Sequence, residues 1–228
     1  MKLKMKNLSK ITRIGIAALI LISCNSKKET AKGPKLLLPV IGEKKYAGMG
    51  SDTIYHTIGD FKLIDQNKDT ISQKTTANKI YVADFFFATC QSICPQMSTQ
   101  LIRVQDAFKN DNDFLILSHT VNPSHDSSEV LNAYAGKYGA IKNKWHFLTG
   151  NKKVIYDLAL NDYLVNALQE DGSPEGFLHS ELFLLIDKQK RIRGMYDGTD
   201  SVAVNKLIAD VKLLKKEETK GTEGTKEN

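Results

Sequence analysis

The chain has 228 residues, 41% of them apolar and 25% charged, and a formal net charge of +6. That length and balance suit one globular domain with tails, and no run approaches the roughly 20 apolar residues of a membrane span. The positive charge is concentrated in Lys2, Lys4, Lys6, Lys10 and Arg13; +6 less those five leaves +1, too little for a polyanion-binding surface, which excludes nucleic acid as a partner.

In chain order, residues 1–23 read as a signal peptide, basic as far as Arg13 and apolar over 14–22. Their end, LIS before Cys24, resembles the lipobox of bacterial lipoproteins. That resemblance implies cleavage before Cys24, lipidation of its thiol and acylation of the new amino terminus. Several acyl chains together give stable anchoring, so the expected product is an exported, membrane-anchored protein facing the periplasm. Residues 24–50 are expected to form a tether and an extended lead-in, 51–214 the domain, and 215–228 (KKEETKGTEGTKEN) a disordered tail.

Within the domain, 61–64 and a partner near Ile71 predict an N-terminal β-hairpin around Asn67 and Lys68. The run IYVADFFF at 80–87 predicts a strand covered on both faces. Pro95 suits a first helical position, and Met97, Leu101, Val104 and Phe108 continue a helical face to about 109. A strand at 114–118, a helix at 128–138, a short strand at 146–148 and a helix at 152–160 follow. A hairpin of 182–186 with 192–196 turns at Lys188 to Lys190, and a helix at 202–214 closes the domain. Strands alternating with helices call for an α/β domain with a central sheet flanked by helices; a thioredoxin-like fold has that order.

With Cys24 assigned to lipid, Cys90 and Cys94 remain, at the junction of the 80–87 strand and the following helix. Free amides and the positive end of the helix dipole favour anions there, which lowers a thiol pKa. Four residues apart across a tight turn, the pair can close a disulfide or hold one soft ion, Cu(I) before Zn(II). A purely structural disulfide is the plainer alternative, but so short a loop constrains the unfolded chain little. Two thiolates make half a metal site. His56, His119, His125, His146 and His179 are the candidates for a third ligand; His146 reads as a packed core residue, and His179 stands between a Gly/Pro-containing loop and a strand.

Residues 84–97, DFFFATCQSICPQM, resemble the D-F-x-F-T-x-C-x-x-x-C-P motif of the Sco/SenC copper proteins. Three further stretches match that family in order: VNPSHD at 121–126, WHFLTG at 145–150, and FLHS at 177–180 running on to Asp187. The resemblance covers about 58–198. It implies a thioredoxin-like fold holding one copper ion through Cys90, Cys94 and His179. It further implies a role in assembling the binuclear copper centre of cytochrome c oxidase, as copper donor, as reductant of the target's cysteines, or both. The partners it implies are the copper-centre subunit of the oxidase and a thiol reductant. Asn122 and Leu178 stand where the family has acids.

The competing function is a periplasmic thiol–disulfide oxidoreductase without obligatory copper transfer. Thioredoxin-type redox motifs place two residues between the cysteines; this chain has three, and it has no proline after Pro174 to face the thiols. A peroxidase-like activity is a weaker third reading.

Overall fold

The computed structural model describes residues 38–46, 53–165 and 180–223, all within the unit that begins at Leu36. Strand β5 (Ile80–Phe86) is buried at every position, as is its parallel neighbour β6 (Phe114–Thr120). A strand without a solvent face needs cover on both sides: α2 (Ile93–Ala107), which joins β5 to β6, and α3 (Ser128–Lys137), which joins β6 to β7 (Trp145–Thr149), cover one face, and the segment carrying Tyr163 covers the other. β6 and β7 are also parallel.

The remaining strands turn this parallel centre into a mixed sheet of seven. At one edge β3 (Lys62–Asp65) pairs antiparallel with both β7 and β4 (Thr70–Ser72); at the other, β8 (Leu182–Ile186) pairs antiparallel with β5 and with β9 (Ile192–Asp197). The order is β4-β3-β7-β6-β5-β8-β9. A separate two-stranded ribbon, β1 (Lys44–Tyr46) with β2 (Thr53–Tyr55), lies outside it. The mixed sheet, its flanking helices and the N-terminal β3–β4 hairpin agree with the expected architecture.

Both sheet hairpins turn by the same local chemistry. Asp65 Oδ1 accepts from the N–H groups of Asn67 and Asp69, and Asp187 Oδ1 from those of Gln189 and Arg191. An Asx turn of this kind closes the chain on itself, and in each case the third residue after the aspartate adopts a left-handed φ, 68° at Lys68 and 64° at Lys190.

Three boundaries differ from expectation. Helix α2 begins at Ile93, so Cys94 lies inside its first turn and Pro95 is its third residue. Proline is tolerated there because the first amides of a helix have no intrahelical partner to lose. Helix α4 (Lys152–Asp157), capped by Asn151, passes into a π turn at Leu158–Asp162. Helix α5 (Ser201–Glu223) runs beyond 214 into the segment read as a disordered tail. Its extra turns have a tertiary reason: Glu217 Oε1 accepts from Arg193 Nη2 at 2.7 Å, and Arg193 is 1% exposed. The lead-in also belongs to the packed structure, for Leu38 is buried and Ile41 pairs with Ile192.

The two faces of the sheet have distinct cores. On the side of α2 and α3, Phe86 packs on Tyr134 and Phe147, with ring centroids 5.1 and 5.3 Å apart. The Tyr134 hydroxyl meets Ser98 of α2 at 3.0 Å. On the opposite side Phe85 stacks on His119 at 5.0 Å, with Tyr163 and Phe61 completing an aromatic group.

Candidate metal centre at the thiol pair

Strand β5 ends at Phe86, the chain turns through 87–92, and α2 starts; Cys90 lies in the turn and Cys94 in the helix. Both are free thiols and both are buried, at 5% and 3% exposure. The turn is fixed at its base. The Cys90 N–H donates to Phe87 O at 3.2 Å, and the Ala88 N–H to Asp126 Oδ2 at 3.0 Å. Asp126 is fully buried; it also accepts from the Thr120 hydroxyl and lies 2.9 Å from His125 Nδ1.

The two sulfurs have opposite electrostatic settings. Burial pushes the Cys90 thiol up, but the backbone and thiol of Cys94 and the hydroxyl and backbone of Ser92 hydrogen-bond its sulfur and leave its pKa below the ordinary value. The Ser92 hydroxyl is 3.5 Å from Cys90 Sγ. For Cys94, burial raises the pKa far above the ordinary value; the Phe87 backbone offsets part of this, while Cys90 and Asp84 add to it. The expectation of a lowered pKa at the helix start therefore holds for Cys90 and fails for Cys94. The consequence is an asymmetric pair, in which Cys90 ionises more readily than Cys94.

Asp84 is a functional candidate to which the sequence reading gave no role of its own. It is 2% exposed, and burial raises its pKa to about 7 against the pull of a hydrogen bond from Ser118 at 2.5 Å. Trp145 Nε1 donates to the same Ser118 hydroxyl at 2.9 Å. An acid within an otherwise apolar strand was the available signal.

The histidines are dispersed. His146 Nδ1 lies 2.9 Å from Asp65 Oδ2 in the buried β3–β7 junction, a packed position as expected. His56 Nε2 is 2.7 Å from the Asp162 carbonyl. His119 is fully buried; its Nε2 has no hydrogen-bond partner, and burial lowers its pKa to about 4. His125 is half exposed and held by Asp126. His179, Leu178 and Cys24 lie outside the described residues. Asn122 is structural: its amide N–H donates to Thr120 Oγ1, and its side-chain oxygen accepts from Ser124.

Among the described residues no group of three His, Cys, Asp or Glu side chains is arranged to hold a metal. They supply two adjoining sulfur donors, a soft half-site suited to Cu(I). The strand register shows where further donors can enter. Leu184 of β8 is opposite Ala83 and Ile186 opposite Tyr81, so the upstream end of β8 approaches the carboxyl end of β5, beyond which Cys90 lies.

Comparison with known proteins gives the family and the fold. The SCO1/SenC family model matches residues 50–215. A SCO1/SenC family lipoprotein from Bacillus anthracis is 26% identical, with TM-score 0.63 over 70% of this chain and 95% of that one. BsSco, a member of the Sco family of cytochrome c oxidase assembly proteins in which a disulfide switch was identified, is 27% identical, with TM-score 0.60 over 69% and 92%. ScoI of Bradyrhizobium japonicum, solved with copper bound, shares the fold at 21% identity, with TM-score 0.56 over 69% and 99%. The fold is thioredoxin-like.

Proposed function

Because this chain belongs to the SCO1/SenC family, we propose that it is a copper-binding metallochaperone for cytochrome c oxidase. It delivers copper to the binuclear centre, or reduces the cysteines of that centre. Copper is the cargo, held as one ion by Cys90, Cys94 and His179. The observation that carries the reading is the pair of adjoining buried thiols at the start of α2, of which Cys90 ionises the more readily. The β8 register supports His179 as third ligand: Ser180 begins the segment that enters β8 from the thiol side. Cys24 carries the lipid after removal of 1–23, residues 24–50 lead into the domain, and the domain faces the periplasm. A related lipoprotein in Bacillus anthracis supports the lipid anchor.

The thiol asymmetry also suits the reductase reading. The Cys90 thiolate attacks a disulfide of the target, forming a mixed disulfide and expelling one target thiolate. Cys94 then loses its proton and attacks Cys90, so that the second target cysteine leaves and a Cys90–Cys94 disulfide remains. Two electrons pass to the target, and an external thiol reductant restores the pair. Closing the disulfide removes both sulfur ligands, which releases copper.

The test is copper titration of the reduced full chain and of His179→Ala, followed by the Cu(II)–thiolate absorption band. We expect one ion per wild-type chain and a loss in His179→Ala of at least the 10–100-fold that follows even when a group supporting a ligand is removed. Wild-type affinity in that variant defeats the three-ligand assignment. Turnover of an oxidised, copper-free target fragment with a catalytic thiol reductant separates the roles: reduction without copper favours the oxidoreductase, and none leaves the carrier.

A further inference from the structure

Both thiols are buried, Cys90 at 5% and Cys94 at 3% exposure. A soft ion held by a carrier passes to another protein by ligand exchange, in which a new donor binds before an old one leaves. Two sulfurs sunk in the protein are poorly placed for that first contact. A donor at the surface beside them is what the exchange needs.

Strands β5 and β6 are parallel with Phe86 opposite Thr120, so the cysteine turn and the 121–126 loop leave the sheet side by side at the same end. The Val121 N–H donates to Phe86 O at 2.8 Å where they part. One buried carboxylate then bridges the two loops: Asp126 Oδ2 accepts from the Ala88 N–H at 3.0 Å, and Asp126 Oδ1 from His125 Nδ1 at 2.9 Å. These bonds hold the His125 ring and the Ala88 amide within about 8 Å of each other, and Cys90 follows Ala88 by two residues.

The His125 side chain is 50% exposed, while that of Asp126 is 0% exposed. A carboxylate accepts, so Nδ1 carries the proton and the neutral ring keeps its lone pair on Nε2. A carboxylate behind one ring nitrogen fixes the imidazole and raises the basicity of the other nitrogen, as it does in metal-binding histidines. The loop itself closes without the ring, since the N–H groups of His125 and Asp126 both donate to Asn122 O. The other described histidines lack this freedom: His119 and His146 are buried, and His56 Nε2 lies 2.7 Å from the Asp162 carbonyl.

Resting on the reading of the chain as a copper carrier, we propose that His125 is a copper-entry ligand, whose exposed Nε2 takes Cu(I) from its donor and passes it to Cys90. Imidazole is a suitable ligand for copper, and thiolate a softer one, so the transfer runs inward. Nε2 bonds to the ion as one ligand of the donor leaves with its electron pair. Cys90, the more readily ionised sulfur, loses its proton and displaces the imidazole, and Cys94 follows. Both protons go to water, copper stays Cu(I), and no electron is transferred. His125 is not a ligand of the loaded site, so its loss changes the rate of loading and not the affinity.

The experiment mixes the reduced full chain, wild type or His125→Asn, with Cu(I) bicinchoninate. Loss of the chelate's colour gives the loading rate, and its end point gives the affinity. Asparagine keeps an N–H donor for Asp126. His125→Asn should load at least about ten-fold more slowly, the lower end of what removing a group that supports a metal ligand costs, and reach the wild-type end point. An unchanged rate overturns the proposal. So does an affinity that falls in step with the rate, which would make His125 a resident ligand. A wild type that takes up no copper defeats the carrier reading, and the entry role with it. A second measurement needs no thiols: in the full chain carrying Cys90→Ser and Cys94→Ser, the diamagnetic Ag(I) should shift the nitrogen NMR resonance of His125 Nε2 more than that of Nδ1. An unshifted His125 Nε2 overturns the proposal as well.

Discussion

Asp84 lies in a strand with protein on both faces, and its carboxyl has one hydroxyl donor and no cationic partner among the described contacts. Burial raises its pKa from 3.8 to about 7. Between those values the folded protein keeps a proton that the unfolded chain has released, so stability falls as pH rises through the window and levels off above it. Asp84→Asn should remove that slope, gaining up to a few kcal/mol relative to wild type between about pH 4 and about pH 8. Denaturant unfolding of both proteins at the two pH values measures it, and equal slopes would show that the carboxyl is ionised in the fold. At this scale the cysteines were legible because spacing and a following proline are local signals. The role of Asp84 was not, because its solvation is set by Ser118 and Trp145, brought in by two other strands. The same holds for Asp126: its family loop was recognisable, but not its bond to the Ala88 amide that fixes the cysteine turn.

Helix α5 shows how an element outgrows its own sequence signal. Its apolar face ends at Leu214, and the charged residues beyond give no periodic reason for a helix. What extends it is Arg193, a buried cation whose carboxylate partners are Asp187 and Glu217. Glu217→Ala should cost about 1–3 kcal/mol, since Arg193 keeps Asp187 but loses one charged acceptor. Arg193→Ala should cost about 3–5 kcal/mol, because it breaks a buried pair: Asp187 keeps Arg191, but Glu217 and the Leu38 and Pro39 carbonyls lose their cationic donor. Chemical denaturation orders the two, and a Glu217→Ala midpoint equal to wild type would mean that the helix end is held by something else. Helix α2 gives the complementary case. Its apolar spacing was read correctly, but the proline pointed two residues too late, because proline is admissible throughout a first turn.

At the scale of the molecule, alternating periodicities were enough to give the α/β class and the mixed sheet. Strand order was beyond them: β3 is next to β7, and β8 next to β5, through pairings between distant segments. The lead-in was equally opaque, since Leu38 and Pro39 act through their carbonyl oxygens, which every residue has. That has a practical sequel for anyone preparing a soluble form. A chain trimmed to begin at 51, the start that composition suggests, would lack the Leu38 and Pro39 oxygens and the Ile41 bridge, leaving the Arg193 guanidinium short of acceptors in a dry interior. We expect such a trimmed chain to be degraded under limited proteolysis that spares one beginning at Leu36; equal resistance would show the lead-in to be dispensable. On that expectation the minimal folding unit starts well upstream of the first residue of the sheet, with a carbonyl pair no alignment of side chains would single out.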